Sequence, residues 1–453
     1  MIKSKKANAN PTKAFFVQMI TRDIALEDCI LDLIDNSIDG AWKLQGAPPM
    51  RLSDGTNLNK YLISIEAYPD RFSITDNCGG ITLDDAADYA FTFGRTDAEP
   101  QEKYSIGVYG IGMKRAIFKM GRTIKIRSTY KKKKGGIESF AVPIEVTEWL
   151  GKPERENWDF DIDPDAALPK PGVDIHVTDL TDGTAAAFGN PSFIQKLRRT
   201  IARDYTLHLH QGLHIFVNGE KIDGWAVEMR SSKKFAAMRL TYRDKLQSGT
   251  VHVEILGGMA APPPESADPD EKDEKESRSG WYVACNGRIV LASDKTSTSG
   301  WGTDDWPKWH PQYEGFIGLV LFSAEDAKLL PLTTTKRSVD NSSEVYRRAM
   351  PRMRELSKQW IAYTNVRKQT IEEAKELEEK AKPIAIFDVV QSKSAKFPAL
   401  LPKPKRKLTT IAYGMSPSRV RSLATAFGDI NMTNRNVGIK SFDYAYAELA
   451  EED

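Results

Sequence analysis

Cysteine is scarce in this chain: three in 453 residues, at Cys29, Cys78 and Cys285. They lie far apart, match no zinc-ligand spacing and cannot form an even disulfide framework, which points to a reducing compartment. Charge of either sign in excess is also lacking. The formal net charge is +2, so no global field drives nucleic-acid binding and any basic surface must be local. The longest apolar stretch, residues 316–322, is far too short to span a bilayer. The basic start, MIKSKKANAN, leads into no apolar h-region. A secretory signal is therefore not expected, and a cytoplasmic protein is. No internal repeat is present.

What the chain does contain is a globular composition, 40% hydrophobic and 28% charged, with length for two domains and a tail. Residues 23–44 have helical periodicity, with Leu26, Ile30, Leu33 and Ile34 on one side. Strand patterns follow at 61–67 and 72–75. A short helix is expected over 83–91 with Thr82 as N-cap, and another over 114–120 that Gly121 stops. Strands are expected at 123–130, 140–146 and 173–178. Helices among mostly antiparallel strands predict an α/β sandwich.

A boundary is expected in 182–191 (DGTAAAFGNP), giving domains at 1–185, 186–345 and 346–453. The second contains a Pro- and charge-rich stretch, 261–279, that cannot bury a core and reads as a solvated insertion. Beyond 185, a helix is expected over 193–204 and strands over 213–218, 250–256, 280–284 and 315–322. The third carries a long charged helical pattern over 343–381, a basic Pro-rich linker over 398–407 and a small C-terminal module.

Three separated segments carry the chemistry. The first is DCILDLIDNSID (28–39), where Asp28, Asp32, Asp35, Asn36 and Asp39 share one helical stripe. Like charges one turn apart destabilise a helix, so a compensating partner is expected. Mg²⁺ is the natural one, preferring hard oxygen ligands and bridging to phosphates. Asn36 and Asp32 are its candidate ligands, and Asp32 is also placed to deprotonate a water. A solvated acidic face is the plainer reading of this segment alone.

The second is ITDNCGGI (74–81), where Asp76 ends a strand before the Gly79–Gly80 turn. A carboxylate there can accept from an exocyclic amino group while glycine lets a flat base approach. An ordinary Asx turn is the alternative. The third is the run Gly107, Val108, Tyr109, Gly110, Ile111, Gly112, Met113, Lys114. Backbone N–H groups at the start of the following helix suit phosphate, and Lys114 and Arg115 add positive charge. The run is neither a Walker A loop nor a Rossmann fingerprint.

In this order the segments resemble the GHKL ATPase superfamily of gyrase B, ninety-kilodalton heat-shock chaperones, histidine kinases and MutL. Within it they look most like MORC-type and related bacterial ATPases. The matching residues are LEDCILDLIDNSIDGA (26–41), ITDNCGGIT (74–82) and FTFGRTD…YSIGVYGIGMKRAIFKMG (91–121). The resemblance covers about residues 12–180. It implies a Bergerat-type α/β sandwich that binds ATP with Mg²⁺ under a mobile lid. By it, Asn36 holds the metal, Asp76 reads the adenine amino group, and Gly80 belongs to the adenine-side loop. Asp39 joins the nucleotide set, and residues 107–114 form the phosphate end of the lid.

Two departures stand out. The position usually held by a Glu base is Asp32, one methylene shorter, so slow hydrolysis is expected. A usual Gly-Thr pair on a late strand is replaced by Pro171-Gly172-Val173. The segments HIFVNGEKI (214–222) and WYVACNGRIV (281–290) look like the transducer domain of the gyrase–MutL branch. There a loop lysine reaches the γ-phosphate, and Lys336 in LPLTTTKR (330–337) is its counterpart.

The domain pair argues against a histidine kinase, since no histidine precedes the metal helix. It argues equally against a complete type II topoisomerase, for which too little chain remains. The resemblance implies a homodimer formed on ATP binding that clamps DNA or a protein client, in DNA repair or phage defence. The lysine clusters at 131–134 and 403–407 are candidate phosphate-backbone contacts. A non-hydrolysing nucleotide-gated scaffold and a protein kinase of the same superfamily are the rival expectations. No membrane association is expected.

Overall fold

The structure is a computed structural model that describes residues 11–52, 55–92, 102–108, 110–152, 158–261, 278–400 and 409–450. The expected insertion at 261–279 lies almost wholly outside the described residues. The basic linker lies partly outside them, as do Tyr109 and the start of the glycine stretch at 94–96. The chain divides into two compact units, Met1–Leu401 and Pro402–Asp453.

The first unit opens with helix α1 (Lys13–Arg22), capped by the Thr12 hydroxyl, and α2 (Leu26–Leu44). Glu27 and Asp28 in the first turn of α2 and Lys43 in its last turn suit the helix dipole. One face buries Ile30, Leu33, Ile34 and Ile38. Each such side chain removed from water stabilises by about 1.5–3 kcal/mol.

Strands β1 (Leu62–Tyr68) and β2 (Arg71–Asp76) form a hairpin. Next comes α3 (Leu83–Asp85), capped by Thr82 as expected, which continues as a π-helical turn over Ala86–Ala90. Helix α4 (Gly112–Met120) starts two residues earlier than the pattern predicted and ends at Gly121, which is extended rather than left-handed. Its neighbours are β3 (Gly121–Lys131), β4 (Ile137–Glu145), α5 (Val146–Gly151), β5 (Asp163–Pro164) and β6 (Gly172–Leu180). The 131–134 lysines sit at the β3–β4 hairpin turn.

The stretch 182–191, where a boundary is expected, is largely helical. It forms α6 (Asp182–Phe188) and runs into α7 (Pro191–Asp204), whose N-cap is Asn190. Its alanines favour helix and outweigh the flanking glycines. After α8 (Thr206–His210) come β7 (His214–Val217) and β8 (Glu220–Lys221). The HIFVNGEKI hairpin thus extends the first sheet, where β7 lies parallel to β1, rather than the second. That sheet has the order β5-β4-β3-β6-β2-β1-β7-β8 and is otherwise antiparallel.

A second sheet contains β10 (Met238–Leu246), β11 (Gly249–Met259), β12 (Gly280–Cys285), β13 (Arg288–Asp294) and β14 (Phe316–Ala324) in the order β10-β11-β14-β12-β13. Strand β9 (Glu228–Ser231) pairs separately with β15 (Lys382–Ala385). Strands β12 and β14 are buried along their whole length. Successive side chains point to opposite faces. Accordingly Tyr282, Ala284, Leu319 and Leu321 join the first core, while Val283, Cys285, Val320 and Phe322 join the second.

The second core is closed by α9 (Glu344–Arg367) and α10 (Ile371–Glu379). These are two helices where the sequence read as one, with the helix interrupted over Lys368–Thr370. The fold is an α/β sandwich, as the order of elements predicted. The second unit contains α11 (Pro417–Ala426) and α12 (Asn434–Ala450), and among its described residues only Ala424 and Val437 are buried. Among the described residues no helix is long and apolar enough to cross a membrane.

Candidate active site

A cavity of about 630 Å³ opens beside α2, walled by the three segments singled out in the sequence. Its size lies in the range of small-molecule sites. Asn36, Asp32 and Asp39 come from α2, Asp76 from the end of β2 and Gly80 from the turn after it, and Gly107, Val108, Gly110, Ile111, Gly112, Met113 and Lys114 from the glycine run. Lys336 reaches the same cavity from far along the chain.

At one end Asp76 is nearly buried. Its Oδ2 accepts from the Ser37 hydroxyl at 2.6 Å, and its Oδ1 accepts from the backbone N–H of Cys78 at 2.8 Å and of Val173 at 3.2 Å. Burial pushes its carboxyl up from the usual range, and these donors offset that only in part. The turn beyond it is fixed by the Ser128 hydroxyl, which both accepts from and donates to the Ile81 backbone.

Two glycines allow this packing. A Cβ on Gly80 would lie 2.1 Å from the Thr129 carbonyl oxygen, and its φ is +75°. A Cβ on Gly172 would lie 1.9 Å from the Asp76 carbonyl oxygen. The next residue lining the cavity is Val173, which offers no hydroxyl.

The acidic stripe of α2 is dispersed among separate partners. Asp28 takes the Arg337 guanidinium. Asp35 is completely buried and accepts from Lys336 Nζ at 2.7 Å, from the Tyr205 hydroxyl at 2.8 Å and from Arg288. Asp39 accepts the backbone N–H groups of Ile106 at 2.7 Å and Gly107 at 2.9 Å. Burial pushes the Asp39 carboxyl up to about 7. It therefore anchors the start of the glycine run by hydrogen bonds. The stripe is compensated by protein cations and backbone donors, where the sequence alone suggested a metal.

Asn36 differs from its neighbours. Its side chain is exposed to the cavity and makes no hydrogen bond among the described residues. Among these residues no three His, Cys, Asp or Glu side chains converge as a metal-binding group. A Mg²⁺ ion here would take one protein oxygen from Asn36 and the rest from phosphate and water. That donor set fits an ion which keeps its waters and bridges to phosphates.

Asp32 is buried at 3% exposure and held on both oxygens. Lys336 Nζ donates to Oδ1 at 3.1 Å, and Arg115 Nε donates to Oδ2 at 2.9 Å with a second bond from Nη2. Burial alone would push its carboxyl up; the Lys336 and Arg115 charges outweigh it and hold it below the usual range. Lys114, from the same helix as Arg115, donates instead to the carbonyls of Ala90 and Gly110.

Several site residues were not legible in the sequence. Arg288 follows the β12–β13 turn, Tyr205 follows α7, and Ser37 sits within the 28–39 segment itself. Arg288 and Tyr205 carry no local signature. In the same turn Asn286 donates to the carbonyl of Ser105 at 2.8 Å, tying the second sheet to the chain just before the glycine run.

A family model described as histidine kinase-, DNA gyrase B-, and HSP90-like ATPase matches residues 24–153. No curated protein matches the chain. The matched span holds α2, β1 to β4 and every cavity segment named above except β6 and Lys336. The part of the chain similar to a GHKL-type ATPase domain is thus the N-terminal part of the first sheet and its helices.

Proposed function

We propose that this protein binds Mg²⁺·ATP in the α2 cavity, hydrolyses it slowly, and uses the cycle as a conformational switch. The observation that carries the reading is the convergence of three separated segments on one cavity, with Asp76 buried at one end and the glycine run at the other. In this reading Asp76 accepts from the adenine amino group and Gly80 lets the base approach. Asn36 holds the metal, and the 107–114 backbone covers the phosphates. Asp32 is the base for the attacking water, and Lys336 senses the γ-phosphate.

The switch works as a MORC-like clamp. ATP orders the lid, two N-terminal segments exchange to close a homodimer, and hydrolysis reopens it around DNA or a protein client. Repair and phage defence are the settings that suit such a clamp. The Lys336 contact to Asp32 and Asp35 supports coupling, because it joins residues far beyond the matched domain to the metal helix.

A second reading is a nucleotide-gated scaffold without turnover. It is favoured by the ion pairs that occupy both oxygens of Asp32. ATP turnover with Mg²⁺, measured with light scattering for mass on wild type and Asp32→Asn, separates the two. Turnover in wild type only, with an ATP-dependent dimer, is expected. ATP binding without turnover in wild type establishes the scaffold instead, and absence of ATP binding removes both.

A further inference from the structure

Two cations stand on the first turn of α4, and the structure treats them differently. Lys114 is buried at 3% exposure and spends its ammonium on the carbonyls of Ala90 and Gly110. Arg115 faces the cavity with 12% of its side chain exposed, and two of its nitrogens meet one oxygen, Asp32 Oδ2. Gly112 brings the helix close enough for this: a Cβ there would lie 3.2 Å from the Asp32 side chain.

We propose that Arg115 is a γ-phosphate ligand held in reserve on Asp32, and that arrival of the terminal phosphate draws its guanidinium off the carboxylate. The inference rests on the ATPase reading above. A guanidinium fork fits carboxylate and phosphate oxygens alike. The terminal phosphate carries more charge than one carboxylate and competes for the same donors. Arg115 lines the wall of the same cavity, so the exchange needs a side-chain rotation and no movement of the sheet.

The exchange also explains the arrangement at Asp32. With Arg115 and Lys336 both in place, each carboxylate oxygen is engaged by a cation. Loss of the Arg115 contact frees Oδ2 to accept a hydrogen from water. ADP, lacking the terminal phosphate, leaves the pair intact. The acid and its restraint are thus set so that only a triphosphate prepares the site.

The test is equilibrium binding of ATP and of ADP, each with Mg²⁺, to the full chain as wild type, Arg115→Met and Arg115→Lys, with thermal melting alongside. In wild type ATP should bind more tightly than ADP. In Arg115→Met the ATP affinity should fall about tenfold or more, as expected for losing hydrogen bonds to a charged group. ADP affinity should stay near wild type. Arg115→Lys keeps the charge without the fork and should lose part of the preference.

Equal loss of ATP and ADP affinity, or an unchanged preference, overturns the proposal and leaves Arg115 as a structural partner of Asp32. Wild type binding both nucleotides equally overturns it as well. If Arg115→Met does not fold, Arg115→Lys decides alone: a reduced preference supports the exchange and an unchanged one overturns it. Wild type that binds neither nucleotide removes the ATPase reading itself, which is a different result from wild type that prefers ATP in company with its variants.

Discussion

Lys336 Nζ lies 3.1 Å from Asp32 Oδ1, although 304 positions separate the two residues in the chain. Lys336 is buried and its φ is +55°, a left-handed backbone that a lysine adopts only when its surroundings hold it there. The neighbouring Arg337 adds contacts to Glu27, Asp28 and Asp204. One short loop thereby neutralises most of the acidic stripe of α2.

Lys336→Met should expose what that neutralisation contributes. Asp32 and Asp35 would stay buried with one cation fewer, and stability should fall by about 3 kcal/mol, the lower end for breaking a buried pair. Urea unfolding checks the magnitude. Adding Asp35→Asn should recover part of the loss, because the uncompensated charge is then gone; no recovery would assign the cost to packing.

Gly172→Ala should damage the Asp76 end of the cavity specifically. Its Cβ has no room beside the Asp76 carbonyl, so β6 must shift from β2 and the Val173 N–H must leave Asp76. Nucleotide affinity is expected to drop at least tenfold, roughly the worth of one hydrogen bond to a charged group, with the fold retained by circular dichroism. Wild-type affinity in this variant would remove Asp76 from the nucleotide contact set.

His208 predicts an acid limb of stability. Burial depresses its imidazole to about 4, Arg288 acts in the same direction, Asp35 opposes, and its Nδ1 has no partner among the described residues. Below about pH 6.5 the unfolded chain binds a proton that the folded chain refuses. The stability is therefore complete above pH 6.5 and is lost as pH falls toward 4, by up to about 3 kcal/mol. His208→Leu should flatten the pH dependence of unfolding between 6.5 and 4.5.

Glu378 is completely buried and receives Arg367 Nε at 2.6 Å and Nη2 at 2.8 Å, with the Tyr363 hydroxyl at 2.5 Å. This cluster fixes the angle between α9 and α10. Arg367→Met should cost about 3–5 kcal/mol by stranding the carboxylate. Arg367→Met with Glu378→Gln should be far milder in chemical denaturation, which a purely steric role for Arg367 would not produce.

The sequence by itself determined most elements of the N-terminal half and the three segments of the cavity, but not α6 or the break between α9 and α10. Helix periods, the Thr82 cap and the glycine turn after Asp76 are local features, written in neighbouring residues. It also pointed to Lys336 through order and resemblance. Tertiary structure decided the partners. The acidic stripe looked like a metal face because spacing on a helix shows which side chains share a side and not what meets them.

Only folding brought Arg115, Arg288, Arg337 and Tyr205 onto that stripe and left Asn36 open to the cavity. It also moved the 214–222 hairpin into the first sheet, since a strand's own pattern does not say which neighbour it pairs with. Local chemistry is fixed by residues a turn or two apart. Charge compensation is fixed by burial, which draws its partners from wherever the chain returns.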